Sequence, residues 1–100
     1  MLKLGEFKSP SLFQIGNYKV FFWSNDINEP IHVHIGKGVP SPNATKIWLT
    51  FNGGCIIASN AGRIPKKDLH EMLEVISAQS FMIRRAWKKY FLVDHIKYYC

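Results

Sequence analysis

Two histidines stand one residue apart in Ile31-His32-Val33-His34-Ile35, where apolar and imidazole side chains alternate with period two. A strand turns successive side chains to opposite faces. Ile31, Val33 and Ile35 therefore share the core face, and the two imidazoles share the other, their Cα atoms about 6.5–7 Å apart. Imidazoles placed like this suit several chemistries. They can meet on one divalent metal ion, contact a phosphate when protonated, or work as an acid–base pair. They can also simply cover the outer sheet face and bond to the Asn25-Asp26 loop. A metal ion needs at least a third donor. The chain offers Asp26, Glu29, His70, Asp94 and His95, none at a spacing diagnostic of a metal motif. Asp26 suits two uses, capping the Ser24–Asn28 turn or accepting the second ring proton of a histidine.

A second chemistry-bearing group lies near the end of the chain. Arg84, Arg85, Lys88 and Lys89 follow one another with no acid between them. On a helix they occupy roughly 100° to 240° from Ile83, a stripe with two like-charged i,i+4 pairs. Each such pair costs a few tenths of a kcal/mol, which a phosphate backbone or an acidic partner offsets and an exposed solubilising face tolerates. As phosphate contacts beside a histidine pair, Arg84 and Lys88 would serve a nuclease or phosphate-transfer hydrolase. Nucleophilic catalysis has little support. Cys55 lies in an apolar run, Cys100 is terminal, and Ser24 lacks a nucleophile elbow. Gly36-Lys37-Gly38 is too short for a phosphate loop.

The elements that must position these groups are legible. Tyr18 to Trp23 is aromatic and β-branched and follows Gly16-Asn17, a turn dipeptide; residues 11–15 add an edge strand. Residues 24–30 read as a polar loop, and 36–43 as a loop with two glycines and two prolines. Thr45–Phe51 and Cys55–Ser59 form a hairpin around Asn52-Gly53-Gly54. Beyond Pro65, Leu69, Met72, Leu73, Ile76, Ile83, Trp87, Tyr90 and Phe91 fall within one arc of about 100°. That phase predicts one amphipathic helix over 65–91, with a kink near Gln79-Ser80 as the alternative. Phe81 and Met82 lie off the stripe and suit a second packed surface or a homodimer contact. The expected fold is α+β, a small, mostly antiparallel sheet of four to five strands followed by a long C-terminal helix.

Length and composition bound the class. One hundred residues, 47% hydrophobic and 20% charged, make one domain with a core and no second domain. No apolar run exceeds about five residues, far short of a membrane span. The start of the chain lacks a secretory h-region, and two cysteines make no disulfide framework, so a cytoplasmic location is expected. The net charge of +6 is uneven. Five of the thirteen basic residues, against Asp94 alone, lie in residues 80–100. Such an excess points to a polyanion, nucleic acid among them, or an acidic protein.

Phe21-Phe22-Trp23-Ser24-Asn25-Asp26, Pro30-Ile31-His32-Val33-His34-Ile35, Ala44-Thr45-Lys46-Ile47-Trp48-Leu49 and Trp87-Lys88-Lys89-Tyr90-Phe91 form an ordered series. In that order the segments resemble an uncharacterised prokaryotic family, domain of unknown function 4160. The resemblance covers about residues 17–91 and leaves 92–100 as a tail. Glu29 stands where the family usually has the first of two prolines. The resemblance implies a small cytoplasmic protein encoded beside another small domain, as in toxin–antitoxin pairs, and hence a small protein partner. It places Asn25, Asp26, His32 and His34 in the family's motif and carries no activity. A binding component of such a two-protein module is the expected function. The alternative is a hydrolase using His32 and His34, with Asp26 as orienter.

Overall fold

The computed structural model of the chain describes residues 11–38 and 41–100. The N-terminal stretch read for a signal lies outside them, as do residues 39 and 40 of the loop expected over 36–43. Strands β1 (Ser11–Ile15), β2 (Tyr18–Phe21), β3 (His32–Lys37), β4 (Thr45–Leu49) and β5 (Cys55–Ser59) pair in sequence order as one antiparallel meander. Gly16, at φ +59°, opens the two-residue turn that sets Ile15 opposite Tyr18. A two-residue hairpin with glycine first matches the right-handed twist of its strands. Strand β3 runs to Lys37, so Gly36 and Lys37 belong to the sheet and not to the loop.

Alternation then sorts the side chains. Val20, Val33, Ile35, Ile47 and Leu49 lie in the core with Leu69, Met72, Ile76, Ile83, Trp87 and Phe91 of the helices. Phe21 opposite His34, and His32 opposite Trp48, turn to the other face.

The helical region is two helices, α1 (Lys66–Ala78) and α2 (Ser80–Phe91), so the alternative with an interruption near Gln79-Ser80 holds and the single helix over 65–91 does not. Gln79 breaks it at φ −100°, ψ 14°, its N–H shared between the carbonyls of Val75 and Ile76. Reach supplies the physical reason. A straight helix over 66–91 would be about 39 Å long. Strands of five residues span about 17 Å, and the described residues measure 37 Å in their longest dimension. A break lets both apolar stripes lie on one sheet. The apolar phase survives it because Gln79 stays near helical dihedrals. Helix α2 ends where Leu92 takes a left-handed conformation, φ 56°, exposed to solvent. No helix of the described residues is long and apolar enough to cross a membrane.

Residues 92–100 are a docked strap, not a loose tail. The Ile31 N–H donates to the Lys97 carbonyl at 2.8 Å and the Phe51 N–H to the Cys100 carbonyl at 2.9 Å. Tyr99 stacks on Trp48 with ring centroids 5.0 Å apart, and Tyr98 meets Phe51 edge-on at 5.4 Å. Backbone bonds of this kind contribute about 1 kcal/mol each and aromatic pairs about 0.5–1.5 kcal/mol. Removal of Tyr98–Cys100 is expected to cost about 2 kcal/mol, a fall of roughly 8–16 °C in Tm for a domain this size. Thermal melting followed by circular dichroism checks it, and an unchanged Tm would show that the strap contributes nothing.

Candidate metal centre

Local structure sets the third donor in place. Residues 24–28 of the expected polar loop form a 3-10 turn, and Asp26 sits in it where its carboxylate accepts the Trp23 N–H at 2.8 Å. That bond folds the turn back toward β3. Asp26 Oδ2 comes to 3.1 Å from His32 Nε2 and 3.1 Å from His34 Nε2, and the two Nε2 atoms are 3.1 Å from each other. Three donor atoms therefore make an equilateral triangle. Around one ion with bonds of about 2.1 Å, tetrahedral ligands are separated by about 3.4 Å and neighbouring octahedral ligands by about 3.0 Å. The triangle fits either geometry with movements of a few tenths of an ångström. One carboxylate and two imidazoles also suit a borderline divalent ion such as zinc, iron(II) or manganese(II).

The triad holds too few protons to satisfy its own acceptors. His32 Nδ1 lies 2.8 Å from the Pro30 carbonyl, an acceptor only, so this nitrogen carries a hydrogen. Neutral His32 then turns a bare lone pair from Nε2 into the triangle, the tautomer a metal requires, fixed by a backbone carbonyl as second-sphere partners do. Neutral His34 adds at most one proton through Nε2. One proton cannot join three pairs of acceptors, so the neutral triad leaves lone pairs facing each other. A cation resolves this, either a second proton or a metal ion. Burial pushes the Asp26 carboxyl pKa up, but the His32 and His34 bonds, the positive charge of His32 in its doubly protonated form and the Trp23 N–H outweigh it and hold it well below the usual carboxylate range. Asp26 is an anionic donor.

Aromatic rings enclose the three groups. Phe21 stacks on His34 at 5.6 Å, and Trp23 meets the same imidazole at 6.3 Å. Trp48 and Trp87 meet His32 edge-on at 5.5 and 5.6 Å. His32 is 0% exposed, Asp26 4% and His34 9%, so the histidines do not lie on an open outer face. In this setting a paired charge is weakly screened. Burial and the Asp26 carboxylate together raise the pKa of the nearby Tyr90 phenol.

The other candidates are placed elsewhere. Asn25 is exposed beside Asp26, with no side-chain bond to the triad among the described residues. Glu29 pairs with Lys46, whose ammonium also lies 4.4 Å from the Trp48 ring. His70 pairs with Glu74 at 3.6 Å, both exposed on α1. Asp94 and His95 line a cleft beside α2 with Arg84, Arg85 and Lys88. Arg84 donates to the Phe51 carbonyl at 3.2 Å and sits over the Tyr98 ring; no hydrogen bond or ion pair joins it to the histidines among the described residues. Cys55 gives its S–H to the Leu73 carbonyl at 3.3 Å, and burial pushes its thiol pKa up, away from nucleophilic use. The residues that sequence reasoning missed are those acting by contact: Pro30 through its carbonyl, and Trp48 and Trp87 as walls. Only the position of Pro30 two residues before His32 offered a signal.

No curated protein and no solved structure matches the chain. A family model does, over residues 17–88, a span that holds β2 to β5, the triad, α1 and most of α2. The chain belongs to the family described as a domain of unknown function (DUF4160).

Proposed function

We propose that this protein is a small metal-centred binding module. Asp26, His32 and His34 hold one divalent first-row ion, and the cationic side of α2 meets an acidic or polyanionic partner, as one component of a two-protein cassette would. The observation that carries the reading is the 3.1 Å triangle of Oδ2 and two Nε2 atoms, with the His32 tautomer fixed by Pro30. The ion ties the 3-10 turn to β3 inside a wall of rings, which suits a structural centre.

A metal-dependent nuclease or phosphate-transfer hydrolase is the second reading. What favours it is that three protein ligands leave open coordination positions, as in catalytic zinc sites. His34 is the one donor with a partly exposed side chain, and substrate would have to reach the ion past it.

Cobalt(II) tests the centre directly. Titration of chelator-treated protein is expected to give visible ligand-field absorption that saturates at one equivalent, with intensities reporting four-, five- or six-fold coordination. A spectrum identical to that of the aqueous ion at every ratio would overturn the reading.

A further inference from the structure

We infer that the cleft between α2 and the C-terminal strap binds single-stranded nucleic acid, with backbone phosphate on Arg84, Arg85 and Lys88 and a base stacked on Phe81. This deepens the cationic-face part of the proposed function and rests on it, but on nothing at the metal centre. The cleft has a volume of about 330 Å³, room for a nucleotide unit, and Asp94 is the sole carboxylate lining it against three permanent cations. Among the described residues, none of those cations forms an ion pair, whereas Lys46 is neutralised by Glu29.

The cations alternate with rings. Arg85 lies 5.8 Å from the Phe81 ring centroid, and Arg84 lies 5.6 Å from that of Tyr98. Arg84 is further held by the Phe51 carbonyl, and its Nε is buried without an acceptor. A guanidinium fixed in this way meets an oxyanion with little rotamer entropy left to lose. Phe81 is 69% exposed, an apolar ring presented to solvent beside positive charge. Cations that track a backbone, interleaved with rings that accept any base face, are the physical signature of single-strand binding. Duplex DNA hides its base faces, and a purely acidic peptide such as polyglutamate carries no flat apolar group to lay on the ring. The ring decides among the anions.

Fluorescence anisotropy of a labelled oligothymidylate of about 12 nucleotides, with full-length protein at several salt concentrations, tests this. Runs with and without chelator should agree, because the cleft does not depend on the ion. The expected result is salt-dependent binding. Arg85→Ala/Lys88→Ala should weaken it about tenfold or more and flatten the salt slope by about 0.7 per lost phosphate contact. Phe81→Ser should weaken it about fivefold or more and leave the slope unchanged. Both variants alter exposed side chains, and circular dichroism verifies that they fold. Equal affinity for a duplex with no effect of Phe81→Ser would overturn the proposal, as would equal competition by polyglutamate. Absence of binding at low salt would overturn it too, while leaving the cobalt titration, and so the metal centre, intact. Tighter binding of oligouridylate would support it and name RNA as the strand.

Discussion

Zinc or manganese added to chelator-treated protein is expected to bind at one site with micromolar or tighter affinity, and His32→Ala/His34→Ala is expected to bind neither. Removal of two of three ligands leaves a single carboxylate, and one monodentate oxygen does not hold a borderline ion against water. Calorimetry reads the difference as a loss of the whole binding isotherm. The same ion should stabilise the fold, because it binds the native triangle and not the separated residues of the unfolded chain. At a free concentration about 100 times Kd the gain is about 2.7 kcal/mol, a rise of roughly 10–20 °C in Tm. The double variant should melt at the same temperature with and without metal. Zinc binding of undiminished strength in that variant would place the ion elsewhere and remove the centre from these residues. Lack of binding to either protein would leave the triad held by hydrogen bonds alone.

Trp87→Ala is expected to produce the largest loss of stability from one residue. Trp87 is 2% exposed and meets Phe22 at 5.1 Å, Phe91 at 4.5 Å and His32 at 5.6 Å, so it joins the sheet, α2 and the triad. Truncation of a buried tryptophan costs about 3–5 kcal/mol through lost transfer energy and the cavity left behind. Small domains have about 5–15 kcal/mol in total. Tm should therefore fall by about 12–40 °C, and metal affinity should fall with it, because a wall of the His32 pocket is gone. Phe81→Ala, on the exposed side of the same helix, should stay within about 0.5 kcal/mol of the parent. Urea unfolding of the two variants side by side provides the check. A Trp87→Ala midpoint close to that of the parent would mean that α2 does not pack as described.

Periodicity by itself determined much of this protein. Alternation over Ile31–Ile35 was enough to put His32 and His34 on one face, because strand geometry leaves a side chain only two directions. The apolar stripe from Leu69 to Phe91 was enough to choose the buried side of the helices, and the turn residues Gly16, Gly53 and Gly54 marked two hairpins. These are local properties, fixed by covalent geometry and short-range sterics. Three features required the folded chain. Asp26 lies eight positions from His34 and becomes its neighbour through a 3-10 turn closed by its own bond to Trp23. The burial of both histidines depends on rings from β2, β4 and α2, which no window of sequence brings together. Residues 92–100 carry no pattern that announces docking, and their place is set by backbone bonds to Ile31 and Phe51, far away along the chain. The break at Gln79 was legible as one of two alternatives. The choice between them rests on the length of a helix against that of the strands it covers, a comparison that exists only once both elements are packed.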